Sequence, residues 1–183
     1  MTRTQRRTIC RNSGLVVLAV MTAVPVFANH IVDLDDLVAG TNTTPGNSFV
    51  SRFVQIDVFA VRLALGNQCS PPTHSGAVTI VTNPLTPCNN VDLPNRAIID
   101  QVRLDFNMGQ FAAQAGGPIR KIKFKHLNIA GNVFLSFNGV CVAAPSFAAA
   151  NGYYPAAGVT VNANACNVVL IADPGVAISQ FAV

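Results

Sequence analysis

The sequence lacks tryptophan and glutamate altogether and has only two tyrosines among its 183 residues. Glycoside hydrolysis generally uses two carboxylates across a cleft, so the pair would have to be two aspartates, and none stands out. The three histidines are scattered without zinc-enzyme spacing, and no nucleophile-elbow motif is present. We therefore expect a protein that is not an enzyme.

Charged residues are also scarce, at 11% of the chain, and the formal net charge is +4. The excess comes from the arginines at positions 3, 6, 7 and 11. After residue 28 eight aspartates balance eight basic residues, which are Arg52, Arg62, Arg96, Arg103, Arg120, Lys121, Lys123 and Lys125. Binding of a phosphate backbone needs a sustained positive field, so we do not expect nucleic acid as a partner.

The beginning of the chain has the pattern of an export signal. The four arginines precede an apolar run from Leu15 to Phe27, which ends at the small residue Ala28. That run is shorter than the roughly 20 apolar residues that span a bilayer. We expect a cleaved signal peptide at 1–28, no stable membrane span, and an exported protein, periplasmic or extracellular, whose residues 29–183 form a single domain. An uncleaved anchor and a twin-arginine signal at Arg6 and Arg7 are the alternatives.

Cysteine usage agrees with export. Cys10 falls in the predicted signal peptide, and four cysteines remain: Cys69, Cys88, Cys141 and Cys166. An even number in an exported chain predicts two disulfides with three connectivities. Pairing Cys69 with Cys88 and Cys141 with Cys166 is favoured, because each bond closes a local loop and would stabilise the fold by roughly 3 kcal/mol.

Apolar and polar residues alternate along most of the remaining chain. The alternation is clear in four segments, 102–106, 121–125, 133–138 and 159–162. A period of two residues predicts strands with one buried and one solvent-exposed face. The sequence therefore predicts an all-β protein, an antiparallel β-sandwich of jelly-roll-like form.

Turn signals separate these segments. Gly131-Asn132 and Asn138-Gly139 are typical of two-residue hairpin turns. Prolines interrupt residues 70–96 and leave room for one short strand, Ala77–Thr82. No amphipathic helix is expected after residue 28, and Ala144–Ala150 offers one helical turn at most.

Three segments carry a resemblance to a known group. They are Asp33–Thr41 (DLDDLVAGT), Ile122–Gly139 (IKFKHLNIAGNVFLSFNG) and Gly175–Val183 (GVAISQFAV). The chain resembles exported bacterial β-sandwich proteins that are similar in outline to galactose-binding-like jelly rolls. The resemblance implies a first strand, a G-G-N-V-x-L-x-V-N-G hairpin and a closing strand, respectively. Ala130 stands where that hairpin pattern has glycine.

Aspartates near the start of the chain are the candidate metal ligands. Asp33 and Asp35 would share one strand face, and Asp173 could join them if the first and last strands pair. Carboxylate oxygens suit calcium, so a structural calcium is the candidate cofactor. The alternative is that these aspartates are solvated and discourage edge pairing.

Lys121, Lys123 and Lys125 would form a cationic stripe about 13 Å long on one strand face, at about 3.3 Å per residue. Such a stripe could hold an acidic polysaccharide. Alternatively, it is a solvated face neutralised by a neighbouring strand that carries Arg103 and Asp105.

Tyr153 and Tyr154 are the candidate contact residues for a ligand. They lie in the segment NGYYPAAG, and loops at the end of a sandwich commonly carry function. Stacking against a sugar ring needs an exposed aromatic side chain. We expect one of the two tyrosines to pack under the loop instead.

Two functions remain after these exclusions. The first is a secreted, non-catalytic binding module for a glycan or a cell-envelope component. The alternative is a structural or matrix protein that self-associates at the cell surface. Self-association predicts an unpaired edge strand, for which Ile178–Val183 is the candidate.

Overall fold

The computed structural model describes residues 30–32, 34–60, 76–82, 95–100, 102–126 and 133–183. Several predictions fall outside these residues and are not tested: the signal peptide at 1–28, Asp33, Cys69, Cys88 and the turn at Gly131-Asn132.

The described residues form three antiparallel sheets. The first has the order β1 (Asn42–Thr43), β4 (Ala77–Thr82), β5 (Asn95–Asp100). The second has the order β2 (Ser48–Ser51), β3 (Val54–Ala60), β6 (Val102–Phe106), β13 (Phe181–Ala182), β8 (Val133–Phe137), β9 (Val140–Ala144). The third has the order β10 (Gly152–Tyr154), β11 (Val159–Ala163), β12 (Asn167–Ala172), β7 (Lys121–Lys125). The predicted all-β class is confirmed, and β4 has its predicted bounds.

One short helix, α1 (Met108–Gln114), was not predicted. The side chain of Asn107 accepts a hydrogen bond from the backbone N–H of Gln110, which caps the first turn. A single 3₁₀ turn, Phe147–Ala150, lies where one helical turn was expected. In the part of the chain that the structure describes, neither helix nor any other is long and apolar enough to cross a bilayer.

The six-stranded sheet forms one layer, and the two smaller sheets cover the same face of it. Its β8–β9–β13 half packs against the four-stranded sheet, with Leu135 and Phe137 facing Val159 and Leu170. Its β3–β6 half packs against the three-stranded sheet through a second cluster, composed of Ile56, Val58, Val78, Ile80, Val102 and Leu104. The strands therefore stack in a sandwich-like arrangement of two layers.

Core packing follows directly from the alternation in the sequence. In the four-stranded sheet Val159, Val161, Val168 and Leu170 are all fully buried, at 0–1% exposure. Burying each such side chain contributes about 1.5–3 kcal/mol. The intervening residues of β11 and β12 therefore point away from the core, and this outward direction positions the candidate site.

The turn between β8 and β9 confirms one hairpin prediction. Asn138 and Gly139 have φ values of +46° and +78°, which a two-residue type I′ turn requires at both positions. The Asn138 side chain also donates to the carbonyl of Ala177 at 2.9 Å and so ties the turn to the segment before β13.

Two expectations from the resemblance are wrong. The described part of 33–41 forms turns and bends, and the first strand among the described residues begins at Asn42. Within Ile122–Gly139 the structure describes β7 and β8, but they belong to different sheets and do not form a hairpin. Strand alternation is the same whichever neighbour a strand pairs with, so it could not assign these partners.

The last strand is also not an open edge. β13 lies between β6 and β8, where Phe181 pairs with Phe106 on one side and Phe137 on the other. Val183 and Leu104 exchange two backbone hydrogen bonds, of 2.7 and 3.0 Å. The prediction that Ile178–Val183 is free to pair with a second copy is therefore wrong.

Candidate functional site

The outward-facing residues of the four-stranded sheet form a surface that we call the outer face. Inward residues of these strands are apolar and mostly buried, which forces their neighbours outward. The outer face is composed of Tyr153 on β10, Thr160 and Asn162 on β11, Asn167, Val169 and Ile171 on β12, and Lys121, Lys123 and Lys125 on β7.

Strand register aligns four of these residues in a single line. Tyr153 lies opposite Thr160, Thr160 opposite Ile171, and Ile171 opposite Lys121. Since neighbouring strands lie about 4.8 Å apart, this Tyr153–Lys121 row is about 14 Å long. The side chains of Tyr153 and Ile171 are 56% and 42% exposed, although both are large and apolar. The row therefore offers an aromatic ring, a hydroxyl, an aliphatic group and a cation to one ligand.

Tyr153 is held in place by Asp173. Its hydroxyl donates to Oδ2 of Asp173 at 2.7 Å. The backbone of Asp173 is fixed in turn, since its N–H donates to the Gly158 carbonyl at 2.8 Å and its carbonyl accepts from the N–H of Val176 at 3.0 Å. The hydrogen bond to the carboxylate raises the pKa of Tyr153. Tyr153 is therefore an exposed ring with a fixed orientation.

Tyr154 faces the opposite way. Its ring packs edge-on against Phe137 with centroids 5.3 Å apart, and its hydroxyl donates to the Ala150 carbonyl at 2.8 Å. Burial raises the pKa of its phenol. The expectation that one of the two tyrosines packs inward is confirmed, and Tyr154, although a candidate contact residue, is that one.

The three lysines point outward from β7, as the alternation predicted. Neutralisation by a strand carrying Arg103 and Asp105 is wrong, because β6 lies in the other layer and these two residues form an ion pair with each other. The strand beside β7 is β12, and the residues opposite the lysines are Ile171, Val169 and Asn167. None of these carries a charge, so Lys121 and Lys123 give the outer face a positive potential.

A solvated role for the lysines remains as the alternative. β7 is at the edge of the four-stranded sheet, and lysines on an edge strand discourage pairing with another chain. Edge protection explains the lysines but not the exposed Tyr153 on the opposite edge.

His126 ends the basic run but does not belong to the stripe. Its ring packs against Phe147 with centroids 4.4 Å apart, and its Nε2 lies 3.0 Å from the Asn164 carbonyl oxygen. Desolvation by burial lowers its pKa, and the hydrogen bond opposes that effect only in part. Burial therefore favours the neutral form of His126.

The candidate calcium ligands are not brought together by the strands that were expected to pair. β1 pairs with β4, whereas β13 pairs with β6 and β8, so the first and last strands are not neighbours. Asp173 is hydrogen-bonded to Tyr153 at the four-stranded sheet. Within the described ranges no group of three or more His, Cys, Asp or Glu side chains is arranged to hold a metal ion.

Asp36 has a structural role that sequence reasoning did not assign. Its carboxylate accepts the Ser51 hydroxyl and the Arg52 N–H, both at 2.7 Å. Arg52 and Phe53 form the β2–β3 turn with φ values of +47° and +67°, a backbone region in which bulky residues are strained. Burial alone would raise the pKa of Asp36, but the hydrogen bonds outweigh it and lower that pKa. Asp36 braces this turn.

The two described cysteines lie in different layers. Cys141 lies opposite Ser136 on β8, on the face away from the core residues Leu135 and Phe137. Cys166 lies in the turn between β11 and β12 of the other layer. Because the Cys141 side chain leaves its strand away from the layer that carries Cys166, the geometry does not support the favoured Cys141–Cys166 pairing.

No protein-family model, curated protein or solved structure matches the chain. Its function therefore has to be inferred from the geometry of the outer face.

Proposed function

We propose that the protein is an exported, non-catalytic binding module that holds a glycan or another cell-envelope component on its outer face. The observation that carries this proposal is the Tyr153–Lys121 row. Exposed apolar side chains that lie together and are flanked by polar groups are typical of ligand-binding surfaces. The row has this composition, and its only aromatic ring is fixed by a hydrogen bond.

Binding suits this surface better than catalysis does. Asp173 is the carboxylate adjacent to the row, and it accepts the Tyr153 hydroxyl. No second carboxylate faces outward from β7, β10, β11 or β12. A glycosidase would need two carboxylates in a cleft. The row instead presents groups that hold a ligand without reacting with it.

Export and a disulfide-stabilised, jelly-roll-like domain belong to the same proposal. The arginine-rich start, the short apolar run and Ala28 support removal of residues 1–28. The four cysteines that follow support folding in an oxidising compartment. An exported domain meets cell-envelope and extracellular glycans directly.

A glycan array with and without calcium tests the proposal. The oxidised protein should give a reproducible signal that Tyr153→Ala abolishes. Tyr154→Phe is the matched control, because it removes only a hydroxyl that faces the interior and should keep binding. A blank array under both conditions would contradict the proposal.

Self-association is the second candidate, and one observation favours it. β2 is an edge strand of the six-stranded sheet, and its hairpin exposes Val50 by 55% and Phe53 by 74%. Exposed apolar edges pair readily with other chains. Sedimentation velocity over a range of protein concentrations distinguishes the two: a binding module stays monomeric, whereas a matrix protein assembles and loses assembly on Phe53→Ser.

A further inference from the structure

We infer that the ligand is a polyanionic polysaccharide that lies across the strands along the Tyr153–Lys121 row, with a sugar ring on Tyr153 and an anionic group at Lys121. This inference rests on the proposed function and names the ligand class and its direction.

The charge of the outer face favours an anion. Its outward residues include three lysines and no carboxylate, and the residues opposite the lysines on β12 are uncharged. An anionic group placed at Lys121 therefore meets a positive charge beside the uncharged Ile171. By contrast, Arg103 on the six-stranded sheet is paired with Asp105 and lies over the rings of Phe59 and Phe134.

The direction follows from where the apolar groups lie. On the outer face the large exposed apolar side chains are Tyr153 and Ile171, and both belong to the Tyr153–Lys121 row. The next row carries Asn162, the half-buried Val169 and Lys123. Of these two rows, only the Tyr153–Lys121 row combines an exposed aromatic ring with a cation. A polymer lying along the lysine stripe would contact Lys121, Lys123 and Lys125 but not Tyr153.

The two ends of the row differ in sign. The Asp173 carboxylate lies within hydrogen-bonding distance of the Tyr153 hydroxyl and repels an anionic group placed there. Lys121, at the opposite end, attracts one. The row therefore favours the apolar face of a sugar ring on Tyr153, with that ring's own carboxylate directed away from Asp173, and a second carboxylate or sulfate at Lys121 about 14 Å away, the width of three strand spacings.

Calorimetric titration of the oxidised protein tests this inference. The probes are oligogalacturonate and its fully methyl-esterified, uncharged form. The test variants are Lys121→Gln and Lys125→Gln, which remove the same charge from the same edge strand, about 13 Å apart at about 3.3 Å per residue. Both side chains are exposed, so both variants should fold.

The expected result is tighter binding of oligogalacturonate than of its ester. Lys121→Gln should raise Kd about three- to fivefold, the range of a partly exposed ion pair, and Lys125→Gln less than about twofold. Equal losses in the two variants would show a diffuse charge effect and overturn the row as the ligand path. Equal binding of the two probes would overturn the anionic class.

Other outcomes separate this inference from the proposed function. Binding of the esterified probe alone, lost on Tyr153→Ala, would overturn the anionic ligand and leave the glycan module standing. Absence of binding to either probe and to a full glycan array would overturn both. Binding to vesicles that contain phosphatidylserine, without binding to the polymer, would assign the lysines to a lipid surface and overturn the polysaccharide.

Discussion

The hydroxyl of Tyr153 donates to the carboxylate of Asp173 at 2.7 Å and joins the edge strand β10 to the loop that follows β12. This bond fixes the orientation of a ring that is 56% exposed. An exposed aromatic side chain that is already ordered loses less conformational entropy when a ligand binds. The hydrogen bond between Tyr153 and Asp173 therefore preorganises one end of the Tyr153–Lys121 row for ligand binding.

Replacing Asp173 with Asn should lower the pKa of Tyr153 towards its ordinary value. The carboxylate raises that pKa by accepting the phenol hydrogen bond and by its negative charge, and Asn lacks the charge. Absorbance titration of the tyrosines at alkaline pH measures the effect. Tyr153→Phe is the control that isolates the transition of Tyr154. An unchanged titration of Tyr153 in the Asp173→Asn variant would contradict the role of this bond.

Gly158→Ala should lower the free energy of unfolding by about 2 kcal/mol. A residue with a side chain loses about 1–2 kcal/mol in a left-handed backbone conformation. Contact of the added Cβ with neighbouring side chains adds to this loss. Gly158 has φ +59°, and an added Cβ would lie 3.1 Å from Cγ2 of Val176 and 3.5 Å from Oδ2 of Asp173. Gly175→Ala is the matched control, since φ is +85° but nothing lies within 4 Å. Urea unfolding should show the larger loss for Gly158→Ala, and equal losses would refute the crowding.

Protonation of His126 should destabilise the fold as the pH falls. Burial lowers the pKa of folded His126 below its ordinary value of 6.5, so the unfolded chain binds the proton first. Stability is therefore fully present above pH 6.5 and is lost as the pH falls from 6.5 through the folded pKa. Urea midpoints measured from neutral pH down to about pH 5 should fall less for His126→Gln than for the native chain. Parallel curves would contradict this assignment.

Peptide mapping of the non-reduced protein should find no bond between Cys141 and Cys166. Cys141 lies on the outward face of the six-stranded sheet, whereas Cys166 lies in the opposite layer. A disulfide requires Cα atoms within about 7 Å and side chains that point together. Each should therefore be joined to Cys69 or Cys88. A Cys141–Cys166 peptide pair would show this geometry to be wrong.

Much of the local structure could be predicted from sequence. Alternation located β6, β8 and β11, and prolines on both sides bounded β4. Asn138-Gly139 specified a turn because both positions need positive φ. The missed helix α1 has only seven residues, too few to show a helical period, and its sequence signal was the capping side chain of Asn107.

The partners of each strand could not be predicted. β7 and β8 are consecutive among the described strands but lie in different layers, and β13 inserts between β6 and β8. A period of two residues predicts which side chains of a strand share a face. It does not predict which other strand lies beside that strand.

The candidate site, too, could be predicted from the sequence only in part. Alternation along β7 correctly placed the three lysines on one face. It could not bring Tyr153 into line with Lys121, since that depends on the register of two intervening strands, β11 and β12. Nor could a strand as short as β10 show which of its two tyrosines faces outward.

Mapping of the ligand contacts by amide chemical shifts tests the outer face most directly. Oligogalacturonate is titrated into isotope-labelled, oxidised protein. Ligand binding on the outer face should give the largest shifts at Tyr153, Thr160, Ile171 and Lys121, with smaller shifts at Lys125. Shifts confined to the six-stranded sheet, around Phe59 and Arg103, or no shifts at saturating ligand, would contradict it.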